Sequence, residues 1–160
     1  MSEILGTLFS KLVALLGIAA VVVILYQVFG ANKTQNAISD ITQLQANAQA
    51  LYNGQSTFTS LSNTVAIGGK LAPTDMISGG TLINPFGGSV TIAVNGSSAS
   101  NFDITEAGLP ADACAKIIVG LTSVLGLKVN GTAQALPIDA GTAVTACNAV
   151  ANTLTLTFTH

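Results

Sequence analysis

The chain has 160 residues, the size of one ordinary domain, and only 8% of them are charged, far below a typical soluble protein. Five lysines, no arginine and a net charge of -2 exclude the clustered basic surface that grips phosphate backbones, so no nucleic-acid partner is indicated. A hydrophobic content of 49% excludes a disordered, highly charged chain.

Residues 12–25 are an unbroken apolar run, and 12–29 contains only Tyr26 and Gln27 as polar residues. That length is close to the roughly 20 residues needed to cross a hydrocarbon core. A cleaved secretory signal would need a basic start and a small-residue cleavage site, whereas the first ten residues carry Glu3 and no base. Beyond Gly30, Ile38, Ile41, Leu44, Ala48 and Leu51 recur at spacings of three and four, which marks one face of a helix. Asn36, Ser39, Asp40, Gln43 and Asn47 form the polar face, and Asn53-Gly54 supplies the stop. A continuous helix from Ser2 to Tyr52 would be roughly 75 Å long, so its N-terminal half is expected to protrude, into a bilayer or into a bundle of copies. Gly17 and Gly30 each lower helix propensity by about 1 kcal/mol. Glu3, just before the apolar run, is costly to bury unless paired. It either meets the N-terminal amine of a neighbouring copy or remains a solvated terminal acid.

The pattern then changes to short pieces punctuated by Gly, Pro, Asn and Ser. Residues 53–80 read as an extended connection with one helical turn around 59–63. Val90-Thr-Ile-Ala-Val94 and Asn101-Phe-Asp-Ile-Thr105 alternate in polarity and are joined by Asn95-Gly96, a hairpin signal. Pro110 and Asp112 open an apolar-periodic run to Leu121, predicting a short helix that carries Cys114. Residues 123–129 read as a strand entering an Asn130-Gly131 turn, and 153–159 alternate strictly, with Leu154, Leu156 and Phe158 on one face. The expected class is α+β: a long N-terminal helix packed by its C-terminal half against a mostly antiparallel sheet. Three segments follow: a hydrophobic helix at 1–30, its amphipathic continuation at 31–53 and a head at 54–160.

Cys114 and Cys147 lack zinc-ligand or CxxC spacing. In an oxidising compartment they default to one disulfide; two reduced thiols in a cytosolic protein are the alternative. No phosphate loop, dinucleotide fingerprint, nucleophile elbow or zincin motif is present, and His160 is the only histidine. Acids such as Asp75, Asp103, Glu106, Asp112 and Asp139 are expected to be solvated or capping. Neither an enzyme nor a cofactor or metal site is expected.

The segments Ala48-Gln-Ala-Leu-Tyr52-Asn-Gly-Gln, Ala72-Pro-Thr-Asp-Met76, Asn84-Pro-Phe-Gly-Gly88 and Gly108-Leu-Pro-Ala-Asp-Ala-Cys114 resemble those of type IV pilins, in particular type IVb major pilins of the PilS, thin-pilus kind. The resemblance implies a precursor anchored in the inner membrane with a periplasmic head, cleaved and N-methylated at Met1 by a prepilin peptidase. An assembly machinery would then extrude it into a helical surface filament of its own copies. It implies a filament core built from Leu5, Leu8, Leu12, Leu15, Leu16, Gly17, Val22 and Leu25, and a Cys114–Cys147 disulfide bounding the exposed C-terminal region. No basic leader precedes Met1, so the chain reads as mature. The family's fifth-position glutamate is here Leu5: either Glu3 takes its role or the processed start lies elsewhere. The filament would serve adhesion, aggregation, motility or conjugative contact. The alternatives are a minor pilin or secretion pseudopilin, and a single-pass anchored binding domain that never assembles.

Overall fold

The structure, a computed structural model, describes the backbone of residues 2–160 and the side chains of all of these except 2–5, 7–10, 23, 24, 26 and 27. It divides into two compact units, 1–32 and 33–160.

One continuous helix, α1, runs Ser2–Leu51. Within the second unit its buried stripe is Ala37, Ile41, Leu44 and Ala48, all 0% exposed, the three-and-four spacing expected of a core-facing helix. Two residues depart from the expected faces. Leu51, the last helical residue, is exposed, and Asp40 is buried. A rotation of 100° per residue places Asp40 at the edge of the stripe, about 40° beyond Leu44, where the core-facing and polar sides meet.

The connection after α1 is more structured than the sequence predicts. Helix α2 spans Asn63–Gly68, later than the turn expected at 59–63, because Ser62 is the N-cap whose side chain accepts from the Val65 amide. A 3-10 turn at Thr74–Met76 leads into a small ribbon of β1, Ile77–Ser78, and β2, Thr81–Leu82.

The main sheet has five antiparallel strands in the order β3-β4-β7-β5-β6. Strands β3 (Val90–Asn95) and β4 (Ser98–Leu109) form the predicted hairpin, and β7 (Asn152–Thr159) is the strictly alternating last segment. Strand β5 is limited to Gly126–Val129, shorter than expected, because Ser123 takes a left-handed φ of 66° that breaks the extended run. The Asn130-Gly131 turn, with both φ positive, hands the chain to β6, Thr132–Gln134. Helix α3, Ala111–Gly120, follows β4. A further helix, α4 at Ala140–Ala146, is not evident from the sequence pattern; Asp139 caps it by accepting from the Gly141 and Thr142 amides.

The core joins the 37–48 stripe to the sheet through Phe102, Ile104, Leu154, Leu156 and Phe158. At one end Tyr52, Phe58, Phe102 and Phe158 form a chain of ring contacts with centroids 4.7 to 5.6 Å apart, and His160 stacks on Phe58 at 4.2 Å.

Candidate assembly surface

In the first unit, Leu12, Leu15, Leu16, Val22 and Leu25 are between 48 and 67% exposed, and Val13, Ile18, Val21, Val28 and Phe29 are comparably open. A row of large aliphatic side chains on all sides of one helix has no amphipathic stripe to bury, which is the property of a helix surrounded by other apolar matter. A Cβ at Gly17 would meet nothing within 4 Å in the single chain. Met1 and the side chains of Glu3, Leu5 and Leu8 lie outside what the structure describes. Among the described residues no helix is long and apolar enough to cross a membrane, and side chains 23, 24, 26 and 27, inside the 12–29 run, are not in that set.

The second unit holds the disulfide. Cys114 on α3 and Cys147 at the C-terminal end of α4 are bonded, with Cα atoms 5.9 Å apart and both residues buried. The bridge therefore ties two helices, one of which the sequence did not reveal. Around it, Gln35, Ile38, Ala115, Val119, Gly120 and Val144 line a shallow, mostly apolar cleft of about 380 Å³.

Two of the recognisable sequence segments acquire structural reasons. In Asn84-Pro-Phe-Gly-Gly88, the Asn84 side chain accepts from the Phe86 and Gly88 amides and donates to the Ala107 carbonyl, which pins this turn against β4. Gly88 must lack a side chain, since a Cβ there would sit 1.8 Å from that same carbonyl oxygen. In the segment ending at Cys114, the Leu109 carbonyl accepts from the side chain of Asn152, whose Oδ1 in turn accepts from Asn130. These asparagines pair buried backbone groups that would otherwise lose their hydrogen bonds.

The acids divide into three environments. Asp139 is exposed, and the hydrogen bonds from Thr142 and Gly141 at the start of α4 hold its carboxyl below the usual range. Asp103 accepts from Asn95 and Thr157. Glu106, expected to be solvated, is instead 0% exposed, and neither carboxyl oxygen reaches a hydrogen-bond donor. Burial, with the Asp40 charge adding to it, pushes its pKa up to about 8; burial and Asp75 push Asp40 to about 6. The signal for Glu106 was present in the sequence: Phe102, Ile104 and Glu106 share one face of an alternating strand. Among the described residues no group of three or more His, Cys, Asp and Glu is placed to hold a metal ion.

A long N-terminal helix, an antiparallel sheet whose centre receives the last strand, and a disulfide enclosing the C-terminal region define the type IV pilin class. Solved pilins share this architecture. The type IVb pilin of Salmonella typhi aligns with a TM-score of 0.64 at 23% identity, over 78% of this chain and 98% of that one. TcpA, a type IV pilin of the Vibrio cholerae El Tor biotype, aligns with a TM-score of 0.56 at 14% identity, over 79% and 98%. No curated protein matches the sequence. The sequence profile described as PilS N terminal matches residues 31–159, and the chain belongs to that family.

Proposed function

We propose that this chain is the major structural subunit of a type IVb pilus, polymerising through its N-terminal helix into a helical surface filament. The observation that carries the reading is the ring of exposed large apolar side chains from Leu12 to Phe29. Ten such groups, at about 1.5 to 3 kcal/mol each when fully buried, would release on the order of 15 to 30 kcal/mol per subunit before ordering and association costs. Membership of the PilS family and likeness to proteins described as type IV pilins support self-assembly.

In this reading Leu5, Leu8, Leu12, Leu15, Leu16, Gly17, Val22 and Leu25 form the filament core, and the subunit waits in the inner membrane with its head in the periplasm. Met1 is the processed and methylated residue, and Glu3 takes the amine of a neighbouring copy. Such a filament would serve adhesion, aggregation, motility or conjugative contact.

The test is electron microscopy of sheared filaments from cells producing Leu16→Asp or Val22→Asp chains. Each places an unpaired carboxylate in the apolar core, so filaments should be lost while the head still folds with its disulfide. Filaments of normal number and diameter would sink the assembly reading and favour an anchored, non-polymerising domain.

A further inference from the structure

Glu106 lies on the buried face of β4 beside Ile104, with Val90 of β3 and Leu154 of β7 as its neighbours across the sheet, both buried. Its carboxyl group is enclosed and has no donor. The charged groups that bear on it come from two other elements: Asp40, 7% exposed on α1, and Asp75 in the 3-10 turn, whose charge acts on Asp40 in turn. Strands β3 and β7 and helix α2 contribute no titratable side chain. Asp103, the other acid of β4, is three residues away and so on the opposite face of the strand, held by Asn95 and Thr157. Among the described residues no cation compensates: Lys11, Lys33, Lys70, Lys116 and Lys128 are exposed, and the ion pair formed is Lys116 with Asp112. Two buried acids, one on β4 and one on α1, therefore bear on each other where the core closes, while Asp75, which adds its charge to Asp40, is exposed. A buried carboxylate without partner or donor is among the costliest groups a core can hold, so the packed state retains the proton.

We propose that Glu106 and Asp40 form a proton-held latch between the sheet and the 33–51 stretch of α1, which seats this helix firmly when the buried acids are protonated and loosens it when they ionise. The sign follows from linkage. Both buried acids have raised pKa values in the folded chain, so the stability they contribute is complete below their ordinary values near 4 and is lost as the pH rises, through about 6 for Asp40 and about 8 for Glu106. Above that the dependence levels off. The head is tightest in acid, opposite to the behaviour of salt-bridged carboxylates. This property belongs to the single chain and does not depend on whether it polymerises.

The experiment is amide hydrogen exchange on the full chain in detergent micelles, corrected for intrinsic rates, comparing residues 37–48 with strand β5. Between about pH 7 and about pH 9, above the range in which Asp40 ionises, opening of 37–48 should rise on the order of tenfold in the native sequence and stay nearly constant in Glu106→Gln. The β5 amides should change little in either. An equal pH response in both chains, or a response of the same size in β5, overturns the latch. Should Glu106→Gln fail to fold, infrared spectroscopy of the native chain decides: a protonated carboxyl band present near neutral pH and lost by about pH 9 supports the proposal, and its absence near neutral pH overturns it.

Discussion

A single methyl group at position 88 would collide with the Ala107 carbonyl at 1.8 Å, while one at Gly87 would meet nothing within 4 Å but would have to accept a φ of 85°. The two substitutions separate steric from conformational cost. Gly88→Ala should destabilise the head by about 3 kcal/mol, in the range of overpacked cores, and Gly87→Ala by about 1 kcal/mol, from backbone strain alone; urea unfolding midpoints of the full chain in detergent measure both. Asn84→Ala should lower the same midpoint by the equivalent of about 2 to 3 kcal/mol, since three hydrogen bonds to its side chain vanish together. At the start of α4, Asp139 carries a depressed pKa, so the support it gives is present above its ordinary value of 3.8 and fades as the pH falls through and below that value. Asp139→Ala should speed exchange of the Gly141 and Thr142 amides at neutral pH and make little difference in strong acid, whereas Asp139→Asn should retain most of the protection.

At the scale of elements, the order of legibility follows the strength of the pattern. Strands β3, β4 and β7 alternate large apolar and polar residues and were readable, as was the 33–51 part of α1, whose stripe repeats at three and four. Helix α4 was not, because Ala140–Ala146 buries only Ala143 and its one larger apolar side chain, Val144, is exposed, so no period is set. The 3-10 turn and the β1–β2 ribbon are held by turn hydrogen bonds such as Met76 N–H to the Pro73 carbonyl, which leave no periodic trace. Leu44→Ala should cost about 2 to 5 kcal/mol, because a side chain with no solvent exposure leaves a cavity between helix and sheet. The disulfide closes a span of 33 residues around β5, β6 and α4. Reduction, or Cys114→Ser with Cys147→Ser, should lower the melting temperature by the equivalent of about 3 to 4 kcal/mol on the loop-entropy account, with proteolysis of the released loop at 122–140 as a second readout.

At the scale of the molecule, one chain carries two units of opposite character. The second encloses its apolar side chains around a sheet; the first presents them outward. A head that is folded and soluble in its own right would leave the first unit as the sole reason for detergent dependence. Removal of residues 1–28 should therefore give a monomer whose melting temperature matches that of the head in the full chain, as scanning calorimetry and sedimentation would show. A monomer unfolded at room temperature would mean that α1 supports the head from beyond the second unit.

The order of residues alone determined the long apolar start, the helix period that continues it, the alternation of the main strands and the scarcity of charge, because each is a local pattern that any backbone must obey. It also carried the family likeness, through short segments such as 84–88 and 108–114. Only the tertiary structure decided that Glu106 and Asp40 are enclosed, that Gly88 abuts a carbonyl and that Cys147 ends a helix. Those facts depend on which distant segments meet, and burial, steric exclusion and the cost of an unpaired charge arise only when they do.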